Sequence, residues 1–407
     1  MKNLRIGNKQ LIKDLNRSLV IERIRNFGPI SRTDISKDTK LGLSTVTNIV
    51  DDLSNNNLVF EVGEADSSGG RRPILLEFNY DYGYTIGIKI EELHIILALT
   101  NLKVDIIDKL ILTFDKEEST ENIIGYIIQG IYELQNKNFL LNENLLGIGI
   151  AVSGLVNSEK GMIIRSTLLG WYNVKLSEQL EKEFYVPVYI DNDVNAYTLA
   201  ELWMGYGKTH DNFICISVGV GIGAGIVIDK KIYSGQFGGA GEFGHSIINV
   251  NGYQCHCGQK GCLEMYASEK FLMKEGKHLI NQYTDSSLKL SNFSFEDVYL
   301  AASKNDSLAL ELFKRMGDYL GIGFINMINS LNPETIILVG EGMIGKDYFL
   351  PYAIETAKQN FFSKADFHTN FYVSELGNDA WVIGASLLAI NRLFSAPIYN
   401  DKKSNYL

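Results

Sequence analysis

No stretch of the chain approaches the roughly eighteen consecutive apolar residues of a membrane span, and the first residues alternate basic and polar types instead of leading into an apolar run. Neither a span nor a secretory leader is expected, so the protein reads as cytoplasmic. Cysteine is scarce. Of the four, Cys215, Cys255, Cys257 and Cys262, three fall within eight residues, a spacing too tight and uneven for a disulfide framework. A metal site suits them better. An excess of positive charge is also missing: the net charge of −10 argues against a protein that coats nucleic acid over its whole surface. The charge is unevenly spread, however. Residues 1–79 carry 12 Lys+Arg against 10 Asp+Glu, or +2, and the remainder carries 26 against 38, or −12. The first segment can therefore face a polyanion while the rest turns from it. Low-complexity segments and short-period repeats are absent. With 45% hydrophobic and 21% charged residues over 407 positions, the chain can build at least two ordinary cores.

Apolar residues Leu11, Ile12, Leu15, Leu19, Val20 and Ile24 recur at helical spacing from Lys9 to Phe27, and Gly28-Pro29 ends the run. Ser31 with Asp34 three residues on marks the start of a second short helix that turns Ile35 inward. After the turn Leu41-Gly42-Leu43, a third helix runs from Ser44 through Val46, Ile49, Val50 and Leu53 to an asparagine cluster. Two strand-like runs follow, Leu58 to Val62 and Ile74 to Phe78, around a polar loop ending Ser68-Gly69-Gly70-Arg71-Arg72-Pro73. From Tyr80 onward strands alternate with helices. Strands are expected at Tyr84 to Ile90, His94 to Leu99, Leu145 to Val152, Val188 to Ile190, Phe213 to Val218 and Ile336 to Val339, and helices around Asn122 to Gln135, Asn192 to Tyr206 and Leu308 to Asn329. That alternation indicates an α/β body with room for two lobes.

Three helices with a glycine-containing turn, followed at once by a hairpin, predict a winged helix-turn-helix. Its third helix offers Ser44, Thr45, Thr47 and Asn48, short side chains able to meet phosphates or base edges in a major groove. The wing adds Arg71 and Arg72, two permanent charges beside paired glycines, suited to a phosphate or minor-groove contact. A dimer of such modules would read half-sites about 34 Å apart in an imperfect palindrome.

A second constellation lies at residues 241–268. His245, Cys255, Cys257 and Cys262 supply one imidazole and three thiolates within eighteen residues, a set matched to tetrahedral zinc. Gly258 and Gly261 let the loop fold tightly. His256, between two cysteines, is a rival ligand whose side chain is expected to point away. Four protein ligands leave no open position, which makes the zinc structural.

The run Gly244-His245, Gly252 and then Cys-His-Cys-Gly-Gln-Lys-Gly-Cys-Leu-Glu resembles the ROK family (repressors, open reading frames and kinases), and the resemblance extends over nearly the whole chain. Residues 7–36 resemble its repressor branch, most of all the xylose-responsive members of Gram-positive bacteria. The resemblance implies an N-terminal all-α/β winged helix-turn-helix over 1–79, then a two-lobed α/β actin-like (RNase H-like) body. The first lobe would span 80–190 and the second 191–407, with a C-terminal helix returning to the first. It also implies a sugar in the cleft between lobes, bound by Asn192, Asp193, Glu242, His245 and Glu264, with Ser166 and Thr167 in a loop that contacts sugar in some members. Physically, carboxylates and an amide around a sugar ring discriminate stereoisomers, because a misplaced hydroxyl leaves a buried polar group unpaired. His245 can serve twice, one ring nitrogen on zinc and the other toward the sugar.

Kinases of this family carry an Asp-x-Gly-Gly-Thr phosphate motif on the first strand. Here Lys89, Glu91, Glu92 and Leu93 stand in place of its aspartate, two glycines and threonine. Phosphate loops need glycine so that backbone amides reach the anion, and two carboxylates there repel ATP. A second glycine-rich segment, Ser217 to Ile228, fits a glycine-lined strand hairpin at least as well as a nucleotide loop. The expectation is a non-enzymatic, homodimeric or dimer-of-dimers repressor of carbohydrate genes, bound to double-stranded operator DNA and released by a monosaccharide, xylose first among them. An ATP-dependent sugar kinase with an appended DNA-binding domain is the alternative.

Overall fold

The computed structural model of the protein describes residues 8–64, 72–140, 144–288, 293–360 and 368–394. Helix α1 (Lys9–Phe27) spans the range its apolar spacing predicts; the Asn8 side chain caps it by accepting from Leu11 N at 2.9 Å. A short strand β1 (Ile30–Ser31) leads into α2 (Arg32–Thr39). Ser31 Oγ accepts from Asp34 N at 3.2 Å and donates to the Asp34 carboxylate at 2.6 Å, the cap that the Ser31/Asp34 spacing suggests. Helix α3 (Leu43–Asn55) buries Val46, Ile49, Val50 and Leu53 along one stripe and leaves Ser44 and Asn48 exposed. Strands β2 (Val59–Glu64) and β3 (Ile74–Phe78) pair antiparallel, and β1 joins the other side of β3. The hairpin tip, with Arg71, lies outside the described residues; Arg72 is described and exposed.

The body continues with β4 (Tyr84–Ile90), β5 (His94–Asn101), β6 (Ile106–Thr113), α4 (Thr120–Lys137), β7 (Leu145–Val152), β8 (Leu155–Asn157), β9 (Met162–Ser166), β10 (Trp171–Val174), α5 (Leu176–Phe184) and β11 (Val188–Asn192). Then come α6 (Asp193–Met204), β12 (Phe213–Val218), β13 (Ile222–Ile228), β14 (Lys231–Ile232), α7 (Glu264–Ala267), α8 (Glu269–Leu279), α9 (Phe295–Ala302), α10 (Ser307–Leu331), β15 (Thr335–Val339), α11 (Lys346–Lys358), β16 (Asn370–Val373) and α12 (Ala380–Phe394). Sequence periodicity locates β4, β7 and β12 to the residue. It passes over β6, whose residues alternate between exposed and half-buried along a sheet edge, and the short strands β8 to β10.

Contacts divide the chain into two compact units, one ending at Asp191 and taking in the residues from Val382 on, the other Asn192–Trp381. Each holds a five-stranded sheet, ordered β11-β7-β4-β5-β6 in the first and β14-β13-β12-β15-β16 in the second. The plan is the same in both. A central strand pairs antiparallel with its hairpin neighbour (β4 with β5, β12 with β13) and parallel with a strand further on (β7, β15). The core of the first unit gathers Ile86, Ile88, Ile148 and Ile150 of its sheet with Ile127 and Ile131 of α4. That of the second surrounds α10, with Phe313, Met316, Leu320 and Phe324 fully buried.

In the first unit α12 lies directly on the sheet, its backbone touching strand glycines. A β-carbon at Gly149 would fall 1.7 Å from the Ala385 carbonyl oxygen, and one at Gly87 would fall 2.2 Å from that of Val382. The end of α12 reaches the N-terminal helices. The Arg25 guanidinium sits 3.9 Å from the Phe394 ring centroid, with Phe78 edge-on to Phe394 at 5.4 Å. Burial holds Arg25 down to about 10 despite the opposing charges of Tyr80 and Glu22; the Tyr80 hydroxyl donates to the Arg25 carbonyl at 2.9 Å.

Gly149→Ala is expected to destabilise the protein by about 3 kcal/mol or more, because backbone must move. Gly125→Ala, in α4 with nothing within 4 Å of the added carbon, should stabilise by roughly 0.5–1 kcal/mol. Denaturant midpoints of the two variants check this; equal shifts would show that α12 does not bear on the sheet.

Candidate functional site

The second unit opens on the junction of β11 and α6, where Asn192 caps the helix by accepting from Val194 N at 2.8 Å and Asp193 Oδ1 accepts from the same amide at 3.0 Å. The chain following β14 returns along β13: Ala224 N donates to the Gly241 carbonyl at 3.0 Å, and this presents Glu242 and then His245 on a turn of 3-10 helix. Residues 246–248 next meet 261–263. Ile248 N donates to Gly261 O at 2.9 Å and Leu263 N to Ser246 O at 2.9 Å, around the isolated bridge Ile247–Cys262. That short ladder brings His245 and Glu264 back together across nineteen positions of sequence.

Within this loop His245 Nδ1 lies 3.6 Å from Cys255 Sγ, and Cys257 Sγ lies 3.6 Å from Cys262 Sγ; the four ligand atoms all fall within 4.8 Å of one another. Tetrahedral zinc with Zn–S near 2.3 Å separates its thiolates by about 3.8 Å, so the four residues fit such an ion. Gly258 and Gly261 adopt φ of 97° and 78°, left-handed conformations that allow the convergence. Burial pushes the Cys262 thiol up to about 12 and raises Cys255. For Cys257 burial is outweighed by the Gln259 amide and the neighbouring thiols, and its pKa is lowered. Thiols this buried ionise together only around a cation. His256 does not turn away as the sequence suggested. Its Nδ1 approaches Cys255 Sγ at 3.8 Å but lies closer, at 3.2 Å, to Glu264 Oε1, because the tight loop carries it back over the start of α7.

His245 directs Nδ1 at the thiols and Nε2 at Glu242, 3.9 Å from Oε2. The Glu242 side chain keeps 48% of its surface exposed, yet partial desolvation by the surrounding loop pushes its carboxyl up, opposed by His245 and reinforced by the charges of Glu264 and Asp193. Three carboxylates and the imidazole thus share one electrostatic neighbourhood. Glu264 is buried and bound by Lys270 Nζ at 2.9 Å. Sequence reasoning passed over Lys270, since six residues from Glu264 is not a helical spacing and α7 breaks from α8 at Ser268.

The remaining site residues lie in the first unit. Ser166 is buried at the end of β9 and its hydroxyl accepts from Leu169 N at 3.4 Å, while Thr167 on the turn is exposed. Lys89 is buried in β4 between Ile96 and Ala151 of the flanking strands. Glu91 N donates to His94 O at 2.8 Å to close the β4–β5 turn, Glu92 pairs with Lys116 at 2.6 Å, and Leu93 is exposed.

The profile of the ROK family matches residues 85–392. The chain belongs to the ROK family. A xylose repressor of Caldicellulosiruptor bescii is 34% identical over 399 residues, covering 97% of this chain and 100% of the relative. The crystal structure of a ROK family transcriptional regulator, a homologue of the E. coli MLC protein, superimposes with a TM-score of 0.86 at 28% identity, covering 95% of this chain and 98% of that one. A ROK family glucokinase from Streptomyces griseus, solved with glucose and AMPPNP, reaches 0.66 at 24% identity over 76% of this chain and 100% of its own. This ROK protein therefore has the family's regulator fold around a sugar-kinase-like body. No helix among the described residues is long and apolar enough to cross a membrane.

Metal analysis of protein purified without chelator is expected to find close to one zinc per chain. Cys262→Ser should lose it and lower Tm by roughly 5 °C or more. Metal-free protein with an unchanged Tm would take the ion out of this loop.

Proposed function

We propose that this ROK protein is a sugar-responsive transcriptional repressor that holds operator DNA with its N-terminal segment and lets go when a monosaccharide binds. The observation that carries the reading is the convergence of Asp193, Glu242, His245 and Glu264 in one field, in a chain that matches a xylose repressor over its full length. A neutral sugar offers hydroxyls to all four, and Asn192 beside them adds an amide. Zinc in the closed shell of His245, Cys255, Cys257 and Cys262 is structural: it fixes the imidazole so that Nε2 faces the sugar. Xylose is the effector the relatives favour.

The segment α1 to β3 is read as a winged helix-turn-helix. Its α3 lays Val46, Ile49, Val50 and Leu53 on the core and turns Ser44, Thr45, Thr47 and Asn48 toward the groove. Thr47 Oγ1 donates to Leu43 O at 2.9 Å, which leaves an oxygen to accept and a methyl to pack. The wing supplies Arg71 and Arg72. The protein works in the cytoplasm as a homodimer or dimer of dimers on a palindromic operator. Each tenfold loss of operator affinity requires the sugar to favour the released state by about 1.4 kcal/mol.

Kinase activity does not belong to this reading. Glu92, ion-paired to Lys116, and Glu91 crowd the turn where a phosphate would need backbone amides, and buried Lys89 stands where the kinases carry an acid.

Titration of xylose into the protein on operator DNA is expected to release it. Asp193→Asn should weaken xylose binding at least tenfold, measured by calorimetry, with operator affinity unchanged in a gel shift. Arg72→Ala should do the converse, lowering operator affinity severalfold and reducing its salt dependence. Phosphorylation of any aldose by the protein with Mg-ATP would replace this reading by the kinase.

A further inference from the structure

Helix α12 meets parts of the molecule that lie far apart in sequence. Its first residues, Ala380 and Trp381, belong to the second unit and those from Val382 on to the first. The Trp381 ring packs edge-on against Tyr197 at 4.6 Å, and Tyr197 stands on α6, one turn after Asp193. The Tyr197 hydroxyl also meets Ser374 Oγ at 2.8 Å and donates to Gly377 O at 3.3 Å, which ties down the segment leading into α12. Along its middle α12 lies backbone to backbone on Gly87 and Gly149, with Val382, Ala385, Leu387, Ala389 and Ile390 buried, so it cannot slide or turn without displacing a strand. At its far end Phe394 receives the N-terminal segment from two sides. The Arg25 guanidinium comes from the end of α1, 3.9 Å from the ring centroid, and the edge of Phe78 from the end of β3, at 5.4 Å. Arg25 Nε is buried, and a desolvated guanidinium holds an aromatic face more strongly than an exposed one does. Helix α1 packs against α3 and β3 forms the hairpin with β2. One cluster therefore bears on both elements that offer side chains to DNA.

We propose that α12 couples the sugar to the DNA: the Arg25–Phe394–Phe78 cluster docks the reading head on the end of a helix whose first turn rests on Tyr197, one turn from the proposed sugar residue Asp193. Arg25 and Phe394 are then positioning residues, turned toward each other, that act on DNA only through the orientation they give to α3 and the wing. A sugar releases DNA only if its binding changes the free energy of the reading head, and a packed helix that contacts α6 at one end and the head at the other supplies a physical link. The coupling rests on the reading of the chain as a sugar-released repressor, whereas the docking of the head stands apart from it. The chain that joins the head to β4, residues 79–83, is held by Leu102 N donating to Tyr80 O at 2.9 Å and by the Tyr80 hydroxyl on the Arg25 carbonyl, so loosening the cluster frees this segment as well.

Two variants of the full chain cut the cluster from opposite sides. Arg25→Met keeps an apolar stem and removes the charge, and Phe394→Leu keeps an apolar side chain and removes the ring face. In the native protein saturating xylose is expected to lower operator affinity at least tenfold in a gel shift. In both variants xylose should bind within about twofold of the native affinity by calorimetry, yet change operator affinity by less than about twofold. Chymotrypsin reads the docking with neither ligand present. Cleavage after Tyr80 and Tyr82, scored by the masses of the two fragments, should be at least tenfold faster in both variants, and circular dichroism confirms that each remains folded. Variants that release operator as fully as the native protein, or whose linker resists chymotrypsin as the native one does, would overturn the proposal. A native protein whose operator affinity xylose leaves unchanged would overturn the repressor reading instead, and the chymotrypsin comparison alone then decides whether the cluster docks the head.

Discussion

Three thiols and an imidazole packed within 4.8 Å of one another cannot all act as bases in a buried loop unless a cation joins them, and the arrangement of the candidate site follows from this constraint. The loop closes through the ladder of Ile248 with Gly261 and Leu263 with Ser246, so whatever fixes Cys262 also fixes Glu264 two residues on. At the other end His245 turns Nδ1 to the thiols, which obliges Nε2 to face Glu242. Glu242, His245 and Glu264, proposed for the sugar, and the cluster able to hold a metal are thus interleaved in one covalent segment. Lys270 on Glu264 Oε1 offsets part of the repulsion among the carboxylates, and His256 on the same oxygen helps to hold that group in one orientation.

The two sheets share one plan, which makes the β4–β5 and β12–β13 turns equivalent positions in the two halves of the body. Both are occupied by carboxylates, by different means. In the first turn glutamates stand in the chain itself, at Glu91 and Glu92; in the second the glycines persist and Glu341 arrives from a distant strand end. The first turn presents Glu91 and Glu92 and contains no glycine. The second keeps its glycines beneath the Glu341 carboxylate, a contact that composition alone could not show, since Ser217 to Ile228 reads as glycine-rich in either case.

Much of the fold was legible because its elements obey local rules. Helix α1 announced itself through its apolar spacing and the Gly28-Pro29 stop, α2 through the Ser31/Asp34 cap, and β4, β7 and β12 through short apolar runs bounded by polar turns. Strand β6 escaped notice because its alternation of exposed and half-buried positions is not matched by an alternation of polar and apolar residues: Ile107 and Ile111 lie on the exposed face and Asp108 on the half-buried one. The two similar lobes were expected through the family resemblance alone, for their shared plan resides in strand pairing and not in repeated residues. His256 stays outside the four-residue cluster that His245 completes, yet its ring lies over Glu264, a contact that its place between two cysteines did not suggest.

By itself the sequence determined what each segment contains: a basic-edged helical start, a Cys-x-Cys loop able to hold metal with Glu242 and Glu264 at its two ends, and a first turn with two glutamates and no glycine. These are properties of residue type and spacing along one strand of chain, and local chemistry suffices to express them. Only the tertiary structure decided which groups meet. It set His256 and Lys270 on Glu264, Phe394 on Arg25, α12 against Gly87 and Gly149, and Glu341 on Gly219. Each of these pairs except the first two joins residues more than sixty positions apart, and such contacts are selected by the packing of whole layers, which no window of sequence contains.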